Sequence, residues 1–291
     1  MSFLKDVIEK LYKETDINYW KNEFSEISKD DLNSLAKKIK DIIKTEFNTK
    51  KNSFKDYQNT SENENKRNQV TFVEGKPWRR EEALERLLIL FDNLTNQKTT
   101  PDGGHVDIVF KTPDGQEKFI ELKMCSEKYM SNTPLFAFIE SLKNKYLIEN
   151  ISDTPCEELK KVSHKDGEPQ VNELIILAPF DYYKKYYINN PKSVENLYLL
   201  KDIYNEEYKI TIVFKSLNIS LQEWDDLIDF ISKNCDIVPA SKKEKNGRNY
   251  KVINFMSNKD KIEKYAKINL KDKFEIKKWK TLNYAKNWDF K

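Results

Sequence analysis

The sequence predicts an α/β protein built on a mixed sheet of four or five strands flanked by helices, with a helical N-terminal addition and a basic C-terminal one. Three observations carry that expectation. Residues 104–123 contain two short apolar runs, GHVDIVF and FIELK, either side of a Thr-Pro-Asp-Gly turn, in which Pro presets one dihedral angle and Gly admits the positive one. Residues 173–180 and 208–214, ELIILAPF and YKITIVF, are apolar runs of strand length. The stretches around them place apolar residues at helical spacing.

A chain of 291 residues that is 38% hydrophobic and 12% aromatic can bury a sizeable core. It has no apolar run long enough to span a bilayer and no charged-then-apolar leader, so a soluble protein of the prokaryotic cytoplasm without membrane partners is expected. Cys125, Cys156 and Cys235 are odd in number and widely separated, which fits a reducing compartment and argues against a cysteine-ligated zinc site. With only His105 and His164 in the chain, histidine-rich metal chemistry is also disfavoured. No GxxxxGK[ST] loop occurs, so no nucleotide cofactor is expected.

In chain order, residues 1–68 read as a helical region with a polar loop. FLKDVIEKLYKE has helical periodicity, and Ser28-Lys29-Asp30-Asp31 resembles a capping start for a helix burying Leu32, Leu35, Ile39, Ile42 and Ile43. Residues 49–68 are polar and read as a mobile loop, or as a flap ordering on nucleic acid through Lys50, Lys51, Lys55, Lys66 and Arg67. Residues 69–218 read as the core. A short strand at 69–73 precedes a helix opened by Pro77 and running to about Leu94, with Glu81 and Glu85 flanking its apolar stripe. After the hairpin comes a helix from Pro134, whose Lys143 and Lys145 suit either phosphate or solvent. Residues 173–180 read as a central strand covered on both faces. The four tyrosines of 181–187 suit a packed surface helix, or a DNA-facing patch.

Residues 219–291 read as a C-terminal basic region. Ser220 caps a helix with Leu221, Trp224, Leu227, Ile228 and Ile231 on one face. From 239 onward the chain carries sixteen Lys/Arg against six Asp/Glu, a balance of +10, whereas the residues before it carry −7. A basic segment interleaved with Tyr250, Phe255, Trp279, Tyr284 and Trp288 suits phosphate neutralisation and stacking. Lys242, Lys243, Lys245, Arg248, Lys277, Lys278 and Lys280 are the candidate DNA contacts there, beside Lys143 and Lys145 in the core.

The chemistry concentrates in the hairpin. Side chains alternate along a strand, so His105, Asp107 and Val109 share one face, and Phe119, Glu121 and Lys123 share a face of the next strand. Charges placed in apolar strands need a partner, because desolvating them costs several kcal/mol; a cation is one such partner. Glu-x-Lys also occurs at Glu64, Glu74, Glu158, Glu207 and Glu275. Only Glu121 ends a strand with an Asp at hairpin distance, thirteen residues separating it from Asp107.

This pattern resembles the PD-(D/E)xK nuclease superfamily, with Asp107 followed by Glu121-Leu122-Lys123; Pro101-Asp102 is the alternative source of the aspartate. The resemblance covers the hairpin and, more loosely, its flanking helices. It implies a restriction-endonuclease-like core and magnesium held by Asp107, Glu121 and the Leu122 backbone carbonyl. Glu85, Glu81 or Asp102 would be an additional ligand, and Lys123 would position the attacking water. It further implies a type II restriction enzyme cutting double-stranded DNA to 5′-phosphate and 3′-hydroxyl ends, as a homodimer where the target is palindromic. The alternatives are a less specific nuclease of the same fold, serving repair, mobile elements or CRISPR-linked defence, and an inactive nucleic-acid-binding protein.

Overall fold

The computed structural model describes residues 17–55, 68–92, 98–112, 116–125, 132–163, 171–238, 243–245, 248–271 and 273–283. The N-terminal helical stretch, most of the polar loop and the hairpin's Pro-Asp-Gly turn lie outside these residues, as do Lys242, Tyr284 and Trp288.

The chain opens with α1 (Ile17–Lys21) and α2 (Lys29–Lys50), the latter started by Ser28, whose side chain accepts from the Asp31 N–H. Strands β1 (Gln69–Val73) and β2 (Lys76–Pro77) form a hairpin. Glu74 and Gly75, at φ 51° and 80°, turn it in two residues, the left-handed geometry that matches strand twist. Pro77 therefore does not open the next helix. It ends the short edge strand, where a residue without an N–H is tolerated, and α3 (Arg80–Asp92) begins three residues later.

Next come β3 (Lys98–Thr99), β4 (His105–Val106), β5 (Ile108–Lys111) and β6 (Glu117–Leu122). Helix α4 (Pro134–Glu149) is capped by Thr133, and α5 (Glu157–Ser163) leads to β7 (Val171–Pro179). Helices α6 (Phe180–Tyr187) and α7 (Pro191–Glu207) precede β8 (Thr211–Leu217). The strand expected at 208–214 thus begins three residues late, because α7 continues to Glu207 and Lys209 turns the chain at φ 56°. Helix α8 (Leu221–Asn234), β9 (Lys243–Lys245), β10 (Arg248–Asn254), α9 (Lys259–Asn269) and β11 (Lys280–Thr281) complete the fold.

Among the described residues the strands form a mixed five-stranded sheet in the order β11-β8-β7-β6-β5. A four-stranded antiparallel sheet follows the order β2-β1-β10-β9, and β3 pairs with β4. Strand β7 is central and runs parallel to both β6 and β8. Leu174, Ile176 and Ala178 face one core, with α2, α4, α6 and α7 over it. Ile175 and Leu177 face the other, shared with α3, α8, α9 and the four-stranded sheet. Burial on both faces explains why this strand reads as an unbroken apolar run.

The tyrosines of α6 do not form a DNA-facing patch. Tyr182, Tyr183, Tyr186 and Tyr187 are buried, and Tyr183 donates to the Ile176 carbonyl at 2.6 Å. Burial pushes the Tyr183 hydroxyl well above its usual pKa, so it stays neutral.

At the start of α8, Ser220 accepts from the Glu223 N–H while the Glu223 carboxylate accepts from the Ser220 N–H, a reciprocal cap. Ser220→Ala is expected to lower stability by about 1 kcal/mol. Urea titration would read this as a lower midpoint with an unchanged slope.

Candidate active site

The register Ile108↔Ile120 sends both isoleucines into one core, while Val109 and Phe119 enter the other. Extending it by one step sets Asp107 opposite Glu121. The chain bends at Asp107, between β4 and β5. There its Oδ2 accepts from the Leu122 N–H at 2.8 Å. Strand β6 ends at Leu122, and the Lys123 N–H donates to the Leu177 carbonyl at 3.0 Å, so β7 fixes the backbone that carries the lysine.

Lys123 is buried and is held by two carboxylates. Its Nζ lies 2.7 Å from Glu121 Oε1 and 3.0 Å from Glu140 Oε2. Glu140 comes from α4, and one turn further Asn144 donates through Nδ2 to Glu121 Oε2 at 3.4 Å and to the His105 carbonyl at 3.3 Å. Glu81, in the first turn of α3, accepts from the Met124 N–H at 3.1 Å. Four carboxylates thus surround one ammonium.

The electrostatics follow from that imbalance. Burial, with Glu140 and Glu81 adding repulsion, lifts Asp107 to about 7 against the pull of Lys123 and the Leu122 N–H. Burial and then Glu140 push Glu121 well above the carboxylate range. Burial alone would lower Lys123, but Glu121, Glu140, Glu81 and Asp107 together raise it well above the usual amine value. Burial would raise Glu140, yet Lys123 and Lys143 hold it below its ordinary value.

Of the sequence candidates, Asp107, Glu121 and Lys123 meet here, and Glu81 reaches the backbone one residue beyond Lys123. Glu85 does not join them; it is buried beside Arg86, with which it forms an ion pair. Asp102 is committed elsewhere. It accepts from Thr100 Oγ1 and from the Gly104 N–H, and it pairs with Lys143 at 3.3 Å. Burial would raise its pKa, but Lys143 and these hydrogen bonds keep it low.

Lys143 and Lys145, expected to face phosphate or solvent, are buried instead. Lys145 pairs with Glu149 and donates to the Val171 carbonyl at 3.1 Å. The cause is that α4 is enclosed on most sides. Lys277, Lys278 and Lys280 are exposed, while Lys243, Lys245 and Arg248 occupy strand positions in β9 and β10. Phe255 and Trp279, two of the aromatic residues interleaved with the basic segment, are buried. Cys125 follows the site but is buried, which pushes its thiol up to about 11, so it is no nucleophile at neutral pH.

The sequence reading missed Glu140 and Asn144. Glu140 had a legible signal, being the lone acid in the apolar run LFAFIESL.

Magnesium takes hard oxygen donors. Asp107, Glu121 and the Leu122 carbonyl are donors of that kind, and Asn144 Oδ1 beside them is buried without a hydrogen-bond partner, an acceptor that a hydrated cation would satisfy. In the arrangement described, Lys123 engages Glu121. Among the described residues no three His, Cys, Asp or Glu side chains are grouped closely enough to hold an ion. The oxygen donors that such an ion would take here are two carboxylates and a backbone oxygen.

Stability is expected to fall as pH rises from about 5 to 8. Asp107 titrates near 7 in the folded chain and near 4 unfolded, so above pH 4 the unfolded state releases a proton that the folded state retains. Glu121 acts in the same direction. The loss over this window is of order 2 kcal/mol, measurable by urea denaturation at both pH values, and it shrinks in Asp107→Asn.

No family model, curated protein or solved structure matches the chain.

Proposed function

We propose that the chain is a magnesium-dependent endonuclease of the PD-(D/E)xK superfamily, acting on double-stranded DNA in the manner of a type II restriction enzyme. The observation that carries this reading is the meeting of Asp107, Glu121 and Lys123 at the end of adjacent strands. Burial, and beyond it the charge of Glu140, raises the pKa of both carboxylates. An anionic cluster of this kind has a standing demand for cations, and a hairpin ending in Glu-x-Lys supplies the oxygen donors and the ammonium in one place.

Asp107, Glu121 and the Leu122 carbonyl would hold the ion, which when bound supplies positive charge to the phosphate and acidifies a coordinated water. Lys123, kept protonated by its carboxylate neighbours, orients the attacking water and offsets negative charge developing on the phosphorus oxygens. Glu140 and Asn144 steady Lys123 and Glu121 from α4. The products are a 5′-phosphate and a 3′-hydroxyl, and a homodimer suits a palindromic target. Among the described residues no helix is long and apolar enough to cross a membrane.

The test is incubation of the purified chain with unmethylated phage DNA in magnesium or in EDTA. Discrete magnesium-dependent fragments are expected, and their ends give the recognition sequence. A smear points to the less specific nuclease. DNA that is bound yet never cut overturns the enzymatic reading.

A further inference from the structure

Trp78 is the feature of the described surface that the proposed chemistry leaves unused. It is 58% exposed, and its ring lies 6.4 Å from that of Tyr250 at an interplanar angle of 48°. The pair is rigidly placed. The Trp78 N–H donates to the Thr71 carbonyl at 2.8 Å, just past the tight turn at Glu74 and Gly75, while Tyr250 pairs with Val73 in the same sheet. An indole held out into solvent on a fixed backbone is poorly explained by packing and is the kind of anchor that binding surfaces use.

Its surroundings are cationic. Residues 69–79 and 243–254 carry six lysines and arginines against two glutamates. Of these, Lys76 and Arg79 flank Trp78 and are exposed. The surface also adjoins the acidic cluster. Glu81 stands three positions after Trp78, a span of at most about 11 Å, and it holds the Met124 N–H. Between them Arg80 donates to the Cys125 carbonyl at 3.4 Å.

Resting on the nuclease reading, we infer that this face of the four-stranded sheet docks the DNA duplex beside the cut site. Trp78 and Tyr250 pack against sugars and base edges in the groove, and Lys76 and Arg79 neutralise phosphates. Charge selects the partner: Lys76 and Arg79 beside two aromatic rings suit a polyanion with flat apolar faces.

The experiment is fluorescence anisotropy of a labelled duplex bearing the mapped cleavage sequence, titrated in EDTA with wild type, Trp78→Ala, Trp78→Phe and Arg79→Glu. Trp78→Ala is expected to weaken binding about tenfold with an unchanged melting temperature, and Trp78→Phe to retain most of the affinity. Arg79→Glu should weaken binding and flatten its salt dependence. On cleavage, Trp78→Ala should raise KM and leave kcat within about twofold. Trp78→Ala and Arg79→Glu both binding within twofold of wild type would overturn this surface alone, because wild type would still cut. A wild-type chain that neither binds nor cuts duplex DNA overturns the surface and the nuclease reading together.

Discussion

Asp107→Asn is expected to lower the DNA-cleavage rate at least about a thousandfold while leaving the protein no less stable, and at pH 8 more stable, than wild type. Three decades of rate correspond to roughly 4 kcal/mol of transition-state stabilisation, the order expected when a donor to a catalytic ion is neutralised. The stability gain follows from the pKa: an acid lifted to about 7 by burial and by Glu140 and Glu81 is a repulsive charge in alkaline solution. The amide keeps an oxygen to accept from the Leu122 N–H. Lys123→Ala should abolish cleavage to a similar extent but destabilise the fold, since Glu121 and Glu140 lose the ammonium between them. Single-turnover rates read beside urea midpoints separate the two cases. Equal loss of stability in both variants would show that Asp107 is held by its neighbours and does not strain them.

Lys143→Ala is expected to cost about 3–5 kcal/mol. Lys143 and Asp102 are both buried, with side chains only 2% exposed, at 3.3 Å, and removing one leaves the other charged in a place that water cannot reach. The Asp102→Asn, Lys143→Met pair should recover much of the loss, because the cost lies in the orphaned charge more than in the absent bond. A double variant as unstable as the sum of the singles would refute this. The pair ties α4 to the loop that delivers Asp107, since Asp102 also accepts from the Gly104 N–H, so a loosened loop should appear as reduced cleavage too.

The hairpin, the helix at Pro134 and the doubly covered strand β7 were legible because period-two alternation, turn chemistry and an uninterrupted apolar run each have one physical reading. Pro77 misled because proline suits both a helix start and an edge strand. The choice lay in Glu74-Gly75, whose left-handed angles close a hairpin before any helix can start. Helix α7 went unread: its residues, PKSVENLYLLKDIYNEE, alternate polar and apolar groups too loosely to declare a period, and the packing of Val194, Leu197, Leu200 and Tyr204 settles it. Within the site, Asp107, Glu121 and Lys123 could be named because each lies on, or one residue beyond, one of two neighbouring strands. Asn144 arrives from a helix by tertiary packing, which no local pattern encodes, and Glu140 from the same helix left only its isolation in an apolar run as a signal. Lys143 and Lys145 failed as surface cations for the converse reason, because lysine is the residue least expected inside.

The pairing of β1 with β10 has a consequence for biosynthesis. Gln69 meets Asn254 across about 180 residues of intervening chain, among the costliest kinds of contact to form early, since closure entropy must be met before any hydrogen bond returns it. At ribosomal speeds of about 5–20 residues per second, β1 waits roughly ten to forty seconds for its partner to be made. During that interval Val70 and Phe72, which end up with Ile253 and Phe255 in the same core, have no strand to cover them. A nascent chain stalled before residue 248 should therefore be a chaperone client and a protease substrate, even with β6 and β7 fully emerged.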